Sequence, residues 1–219
     1  HITANGLVEP QDGVVHLRVP DGTGSSEALN AGLAAASGEY ILVCADDVLF
    51  PHGSVARLLA LLGTDEKRAM VGPRCAFAGG AQALPPGTSD LTEDLDEFAY
   101  YWHESEAGHS VGVAVLGDFC LLTRRSVLDK VGGVDPQFAP GSYRSMDLSL
   151  RLLKSGHQLA LAQDVAVHRS RPSDDVSDDD VAEMTHFAQK WQLAGGSDEP
   201  KTIEEIVANE PFDPETDVV

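Results

Sequence analysis

Two adjacent carboxylates, Asp46 and Asp47, follow directly after an apolar segment, YILVCA, at residues 40–45. Apolar side chains on both faces are typical of a central strand in a covered sheet. Ligands of open α/β sheets bind at the carboxyl ends of the strands, so the two carboxylates would face a ligand crevice. Their oxygens would suit a hard divalent cation that serves the phosphates of a substrate. Helix capping or solvent exposure explains the same pair, and the pair on its own favours that simpler interpretation.

The segments on either side of the carboxylates alternate between strand and helix patterns. Residues 14–19 predict a strand, and Ser25 or its serine neighbour can cap a helix whose apolar residues recur at helical spacing. A second helix, over residues 55–62, carries its apolar side chains on one stripe. Strand, helix, strand and helix in so short a stretch indicate an α/β domain, which we place at residues 1–194 and follow with an acidic tail at 195–219.

In the middle of the chain, residues 76–110 have no regular strand or helix pattern. They are rich first in Gly and Pro and then in acidic residues. A loop of this length indicates a functional excursion, with a short helix near residues 91–101. Residues 111–123 predict strand structure that is interrupted at Gly117 and Asp118. Beyond them the patterns predict a helix from Ser126, a helix at 148–155 capped by Asp147, a strand at 159–168 and an amphipathic helix at 181–191.

Acidic residues outnumber basic ones: 35 Asp and Glu against 15 Lys and Arg give a formal net charge of −20. That charge repels nucleic acids and anionic membrane surfaces, so we expect neither as a partner. No apolar stretch approaches the roughly 20 residues of a membrane-spanning helix, so we expect no span in this chain and a cytoplasmic protein. Cys44, Cys75 and Cys120 lack metal-site spacing and predict buried free thiols in a reducing compartment.

Residues 27–62, EALNAGLAAASGEYILVCADDVLFPHGSVARLLALL, carry several motifs at once. A small-residue helix with Asn-x-Gly, the triplet Gly-Glu-Tyr, an apolar strand, a D-x-D-like acidic motif and an amphipathic helix follow in order. This stretch resembles the family-2 glycosyltransferases of the GT-A fold. Three later segments match the same family in the right order: GDFCLLTRRSVLDKVGGVDPQF, SMDLSLRLLKSGHQL and DVAVH. The resemblance covers about residues 14–191, and four weak motifs in the correct order are hard to obtain by chance.

The resemblance implies an α/β protein of the GT-A type, with a Rossmann-like, mixed and mostly parallel sheet flanked by helices. Against the family pattern the chain begins near the end of the second strand, so we expect a domain that is incomplete at its N-terminus. The resemblance also implies transfer of a sugar from a nucleotide-diphosphate sugar to an acceptor hydroxyl, with Mg²⁺ or Mn²⁺ as cofactor. The acceptor could be a glycan, a lipid or a small molecule, and the sequence leaves a homo-oligomer open.

The family motifs also imply roles for particular residues. By position, Asp47 matches the last acid of the D-x-D motif and would touch the metal, and His168 would complete the metal site from the end of a later strand. A histidine at a strand end is commonly a surface or hydrogen-bonding residue, so both roles stay open. For Asn30 and Gly32, packing of the helix on the sheet is an equal alternative to donor binding. The implied donor-binding set is Asn30, Gly32, Asp46, Asp47 and Gly117.

Two departures from the family pattern bear on activity. Ala45 stands where the D-x-D motif has its first acid, and Arg144 and Ser145 stand where the family carries the Glu-Asp pair that supplies the base. Neither arginine nor serine accepts a proton at neutral pH. Asp118 and Asp147 are the candidate catalytic residues that could replace the base. A solvated turn explains Asp118 equally well, and a helix cap explains Asp147 better.

The loose central segment supplies a candidate acceptor site. Trp102 and Tyr101 could form an aromatic platform for the acceptor, although burial against the core explains them as simply. The missing acids suit a second hypothesis, a glycosyltransferase-like binding or assembly module that no longer catalyses a reaction. A nucleotidyltransferase ranks last, because the chain has no glycine-rich, basic phosphate loop near its start. We favour the enzyme, since Asp47 and His168 are retained.

Overall fold

A computed structural model describes residues 2–3, 13–86, 88, 94–170, 180–191 and 193 of the 219-residue chain. The predicted tail at residues 195–219 lies outside the described residues. The predicted domain boundary at residue 194 therefore stays a prediction. None of the described helices is both long enough and apolar enough to cross a membrane.

Strands and helices alternate along the described chain, which confirms the predicted α/β organisation. In order the elements are β1 (Ile2–Thr3), β2 (Leu17–Arg18), α1 (Ser25–Ala35), β3 (Tyr40–Cys44), β4 (Val48–Leu49), α2 (Ser54–Gly63), β5 (Arg68–Cys75), a 3-10 turn (Gly80–Gln82), α3 (Leu95–Glu106), β6 (Ser110–Val113), β7 (Cys120–Arg124), α4 (Arg125–Val131), α5 (Ser142–Lys154), β8 (Gln158–Arg169) and α6 (Asp180–Lys190). Strand β5 shows no clear strand pattern in the sequence, because Pro73 and two arginines interrupt its apolar residues.

The main sheet has six strands, in the order β3-β7-β5-β8-β4, with β6 also paired to β8. Within this sheet β5 and β8 pair in parallel, whereas the β3–β7, β5–β7, β6–β8 and β4–β8 pairs are antiparallel. The mixed sheet is confirmed, but the expectation of mostly parallel pairing is wrong for the described strands. Because β3 and β5 both run opposite to β7, the carboxyl ends of β3, β5 and β8 lie at one edge of the sheet.

Helices cover both faces of the main sheet. On one face α2 packs through a cluster that includes Leu58, Leu62 and Leu122. Leu121 points to the opposite face, as the alternation of a strand requires. There α4 and α5, with α1 beside them, cover a second cluster that contains Ile41, Met70, Leu121, Val127, Leu128, Val131, Leu148 and Leu152. This coverage explains why the strands are apolar on both sides.

A buried ionic cluster joins α5 to α6. Asp147 accepts hydrogen bonds from Arg151 Nε at 2.9 Å and from Trp191 Nε1 at 3.2 Å, and Lys190 Nζ lies 2.9 Å from its Oδ1. The Asp147 side chain has no exposed surface, and that of Arg151 keeps only 2%. Since α5 begins at Ser142 and Asp147 lies inside it, the prediction that Asp147 caps this helix is wrong. The carboxylate instead fixes α6 against α5.

The three cysteines are free thiols. Cys75 and Cys120 are buried, as predicted, whereas Cys44 at the end of β3 is exposed, contrary to the prediction. Desolvation by the surrounding protein raises the pKa of all three thiols, including Cys44, whose residue as a whole is exposed. Protonated thiols are weak nucleophiles and weak metal ligands, so we assign them no chemical role.

Candidate active site

The acidic turn after β3 and the loop before β7 meet at the edge of the main sheet. The Ala45 N–H donates to the Phe119 carbonyl at 2.8 Å, which extends the β3–β7 pairing by one step. Asp47 and Asp118 therefore lie close to the same point on two neighbouring strands. The carboxyl ends of β5 and β8 lie at this edge as well, which is where an α/β sheet forms its ligand crevice.

Asp118 is held by the arginine that replaces the family's acidic pair. Arg144 Nε donates to Asp118 Oδ2 at 2.7 Å, and Arg144 Nη2 lies 2.5 Å from the same oxygen. The N–H of Gly141, at the start of α5, also donates to Oδ2, at 3.3 Å. The other oxygen, Oδ1, receives no hydrogen bond from the described residues, and 19% of the side chain is exposed. A carboxylate anchored in this way can present its second oxygen to a ligand.

Three consecutive backbone N–H groups, at residues 116–118, hold the Asp118 loop in place. In chain order they donate to Ser149 Oγ at 3.3 Å, to Gln82 Oε1 at 2.6 Å and to Ser145 Oγ at 3.1 Å. Ser145 and Ser149 are one turn apart on α5, so the helix offers both hydroxyls to the loop. A β-carbon on Gly117 would lie 3.2 Å from Gln82 Oε1, so glycine suits this close approach. The donor-binding role of Gly117 stays a prediction.

Arg144 also ties the loop to α1. Its Nη1 donates to Ser26 Oγ at 3.1 Å, and that hydroxyl donates to the Phe138 carbonyl. Ser26 is therefore a buried member of α1, and the prediction of a serine cap is wrong. The helix begins after Gly24, whose N–H donates to the Glu27 carboxylate at 3.0 Å. Helix α1 and the Asp118 loop are thus connected through one buried guanidinium.

Asp47 forms a second carboxylate–arginine pair. Arg169 Nε donates to both carboxylate oxygens, at 3.0 Å to Oδ1 and at 3.2 Å to Oδ2. In the pairing of β4 with β8 the residue opposite Arg169 is Val48, the neighbour of Asp47 in the chain. Only 3% of the Asp47 side chain and 13% of the Arg169 side chain is exposed. The adjacent Asp46 is exposed, and its donor-binding role stays a prediction.

His168 and Asp47 have different contacts. His168 and Arg169 are consecutive in β8, so His168 points to the face opposite to that of the arginine that binds Asp47. His168 lines an apolar pocket with Phe98, and its ring lies 6.2 Å from the Phe77 ring. Among the residues that the structure describes, no three His, Cys, Asp or Glu side chains are grouped so as to bind a metal ion. As placed, these residues do not fit the joint metal site predicted for Asp47 and His168.

Asn30 holds a turn through two hydrogen bonds. Its Nδ2 donates to the Val134 carbonyl at 2.7 Å, and its Oδ1 accepts the Val134 N–H at 2.9 Å. A β-carbon on Gly133, where φ is +76°, would lie 2.7 Å from the same Oδ1. These contacts support packing, the alternative to donor binding, for Asn30. Gly32, also on α1, is half-buried, and its donor-binding role stays a prediction.

Asn30→Ala is expected to lower the free energy of unfolding by about 1–3 kcal/mol, because the buried backbone groups of Val134 would lose both partners. Urea denaturation followed by circular dichroism measures the change. Asn30→Asp keeps the acceptor oxygen and loses the donor, so its effect should lie between those of the wild type and Asn30→Ala. A loss under about 0.5 kcal/mol in the alanine variant would contradict this role of Asn30.

The two aromatic residues predicted as an acceptor platform have different surroundings. Trp102 Nε1 donates to the Gln163 carbonyl at 2.7 Å, and the indole ring lies 5.9 Å from the Phe98 ring, so Trp102 ties α3 to β8. Tyr101 is 62% exposed, and its ring lies edge-on to that of Tyr100 at 5.5 Å. Packing against the core is thus the role that the contacts of Trp102 support. Tyr101 has an open aromatic face, and its acceptor role stays a prediction.

Two residues that organise the site, Arg169 and Gln82, are not among those predicted from the sequence. Arg169 follows His168 directly, at the end of a predicted strand. Its positive charge is a signal in the sequence that would suggest a partner for the acidic turn. Gln82 lies in a Gly/Pro-rich segment whose pattern gives no sign of a buried hydrogen-bonding role. Its side chain nevertheless bridges two strand ends, since Nε2 donates to the Pro73 carbonyl at 3.0 Å while Oε1 accepts the Gly117 N–H.

The sheet, the acidic turn and the Asp118 loop define an α/β domain of the GT-A type. Two solved structures share this fold. GalNAc-T7 with UDP, GalNAc and Mn²⁺ has a TM-score of 0.59 at 12% identity, and the mannosyltransferase PcManGT from Pyrobaculum calidifontis with GDP-Man and Mn²⁺ has a TM-score of 0.54 at 15% identity. The similarity covers 80% of this chain and 36% of GalNAc-T7, and 88% of this chain and 50% of PcManGT. The chain thus spans half or less of these two proteins.

The model of the family described as "Glycosyltransferase like family 2" matches residues 4–189 of the sequence. Since the match spans most of the chain, the chain belongs to this family. The resemblance drawn from the sequence motifs is confirmed, and so is the predicted α/β fold of the GT-A type with a mixed sheet. A comparison with curated proteins finds no match.

Proposed function

We propose that this domain transfers a sugar from a nucleotide-diphosphate sugar to a hydroxyl group of an acceptor. The observation that carries the proposal is the Asp118 carboxylate, which Arg144 anchors through one oxygen while the other accepts no hydrogen bond from the described residues. It lies beside the acidic turn of a domain from glycosyltransferase family 2. Nucleotides in both solved neighbours, UDP in one and GDP-Man in the other, support a nucleotide sugar as donor.

The proposed reaction exchanges one bond at the anomeric carbon of the sugar for another. The acceptor oxygen bonds to this carbon while the bond from the carbon to the diphosphate oxygen breaks, and the nucleoside diphosphate leaves with the electron pair. Asp118 Oδ1 takes the proton of the acceptor hydroxyl as general base and later releases it to solvent. A positioned base of this kind contributes roughly 10²–10⁴-fold to a rate.

Arg144 and Ser145 give the proposed base its geometry. The guanidinium of Arg144 fixes Oδ2 of Asp118, and the hydroxyl of Ser145 fixes its backbone N–H. Arg144 and Ser145 replace the family's acidic pair, and both orient Asp118, the carboxylate that we propose as the base instead. Asp147, the other candidate base, is fully buried, and Arg151 lies among the groups that occupy its oxygens, so we assign it a structural role.

A divalent cation, Mg²⁺ or Mn²⁺, is the cofactor that the family resemblance implies, and both solved neighbours contain Mn²⁺. The chemistry such an ion would supply is neutralisation of charge on the departing diphosphate. The side chains described for this chain do not fit that ion, because Arg169 donates to both oxygens of Asp47 and no three His, Cys, Asp or Glu side chains among the described residues are grouped to bind a metal. No step of the proposed reaction therefore uses a metal.

Calorimetric titration with UDP, GDP and their sugar conjugates tests the proposal. We expect binding of one nucleotide class, and a weaker affinity in Asp47→Asn because the Asp47 carboxylate holds the cationic side chain of Arg169 at this turn. Asp129→Asn, an exposed position on α4, is the matched control and should bind as the wild type does. If a folded protein binds none of these compounds, the proposal is wrong.

A non-catalytic binding or assembly module is the second candidate. Ala45, at the position of the first D-x-D acid, favours it, as does the absence of the family's own acidic pair at Arg144 and Ser145. This candidate would rank first if the protein bound a nucleotide sugar but transferred the sugar to none of the acceptor hydroxyls tested. We rank the enzyme ahead of the binding module because Asp118 Oδ1 accepts no hydrogen bond from the described residues and can therefore contact a substrate.

A further inference from the structure

The Asp47–Arg169 pair occupies the place that the family pattern gives to a divalent cation. Such an ion binds through carboxylate oxygens, and both oxygens of Asp47 already accept hydrogen bonds from Arg169 Nε. An added cation would have to bind beside a guanidinium of like charge or displace it. The small exposure of Asp47, 3% of its side chain, leaves little room for either arrangement.

Backbone contacts and an aromatic ring fix this pair. The Ser170 N–H donates to the Asp47 carbonyl at 3.2 Å, and the pairing of β4 with β8 holds both charged residues. The Phe119 ring centre lies 5.9 Å from Arg169 Cζ, within the range of a cation–π contact. Since Phe119 follows Asp118 in the chain, the Arg169 guanidinium and the proposed base flank one aromatic residue.

The Arg169 guanidinium has hydrogen-bond donors to spare. Its Nε is bonded to Asp47, whereas Nη1 and Nη2 make no hydrogen bond to any residue that the structure describes. The planar fork of an arginine matches the oxygens of a phosphate and binds them in bidentate fashion. Asp47 thus binds the guanidinium through Nε, and the Nη1 and Nη2 groups are the donors that can bind an anion.

We propose that Arg169, in place of a divalent cation, supplies the positive charge that binds the diphosphate of the donor. This inference rests on the proposed function, and it names the group that handles the leaving charge. As the bond from the anomeric carbon to the diphosphate breaks, the guanidinium donates hydrogen bonds to the oxygens that gain negative charge. Asp47 orients Arg169 and takes no proton, so it is a positioning residue.

Nucleotide titrations in EDTA and in Mn²⁺ form the first test. The wild-type protein should bind its preferred nucleoside diphosphate with the same affinity in both. Arg169→Met should weaken this affinity about 10- to 100-fold, the effect of losing charge-assisted hydrogen bonds. Arg169→Lys keeps the charge and loses the fork, so it should bind more weakly than the wild type while remaining folded. Arg57→Met removes an equal charge from α2, where the guanidinium contacts the His52 carbonyl, and should bind normally.

Mn²⁺ alone, titrated by electron paramagnetic resonance, forms the second test and needs no nucleotide. The wild type and Asp47→Asn should bind Mn²⁺ alike, because Arg169 already covers the carboxylate. Arg169→Met should gain affinity for Mn²⁺, since it removes the guanidinium that donates to both oxygens of Asp47. The double variant Asp47→Asn/Arg169→Met should lose that gain.

The outcomes separate this inference from the proposed function. Nucleotide binding that requires Mn²⁺, or Mn²⁺ binding to the wild type that Asp47→Asn removes, overturns the role of Arg169 and leaves glycosyl transfer standing. Metal-independent binding that Arg169→Met leaves unchanged also overturns it. Failure to bind any nucleotide, with or without Mn²⁺, overturns the proposed function and this inference with it.

Discussion

Arg151→Met is expected to lower the free energy of unfolding by about 3–5 kcal/mol, because it leaves a fully buried carboxylate without its main partner. Arg151 Nε bonds to Asp147 at 2.9 Å, and its Nη1 donates to the carbonyls of Val131 and Gly133. Methionine fills much of the space of the arginine stem and donates to none of these groups. Chemical denaturation at neutral pH measures the difference.

Two further variants identify the cause of the Arg151→Met effect. Asp147→Leu/Arg151→Met removes both charges, and such replacements of buried pairs are often close to neutral, so it should lose less stability than Arg151→Met alone. Lys190, released from Asp147, keeps its ion pair with Asp135 at 2.8 Å. Arg57→Met should change stability by no more than about 0.5 kcal/mol. If Arg151→Met destabilised the protein no more than Arg57→Met does, the buried cluster would not hold α6 on α5.

Asp118→Asn is expected to slow transfer of the sugar by about 10²–10⁴-fold, because the amide cannot accept the acceptor's proton. The amide keeps the size of the carboxylate and an oxygen that Arg144 and Gly141 can still contact. Affinity for the nucleotide should therefore change little, and the loss should appear in kcat rather than in the dissociation constant.

Asp129→Asn is the matched control for the Asp118 variant, since it removes one exposed carboxylate from α4 and leaves the site alone. A lower kcat with an unchanged dissociation constant for the nucleotide is a readout that a purely structural role would not give. A rate within about tenfold of the wild type would assign the base to another residue.

Local patterns predict the elements whose signal lies in neighbouring residues. The apolar run at residues 40–45 and the apolar stripe at residues 55–62 predict β3 and α2 within a residue or two of the observed bounds. The pairing of strands depends on contacts far apart in the sequence, so the position of the antiparallel β7 between β3 and β5 does not follow from any local pattern. Helix α5 likewise begins before the aspartate that the motif suggests as its cap.

The sequence predicts where the carboxylates of the candidate site lie along the chain, but it does not predict which side chains they bind. The sequence places Asp47 and Asp118 after or before strands, and the structure brings both to one edge of the sheet. What each carboxylate bonds to depends on strand register and side-chain direction. Arg144, which the family pattern presents as a loss, holds Asp118, and Arg169, one residue beyond the histidine that the pattern selects, holds Asp47.

Release of nucleoside diphosphate from a nucleotide sugar is the most direct measurement of the proposed activity. UDP- and GDP-sugars are offered separately with a panel of glycans, lipids and small hydroxyl compounds, and the released UDP or GDP and the glycosylated product are quantified together. We expect equal amounts of nucleotide and product from one donor class, and the loss of both in Asp118→Asn. Tight binding of a donor by the folded wild-type protein, with no product from any acceptor, would contradict it.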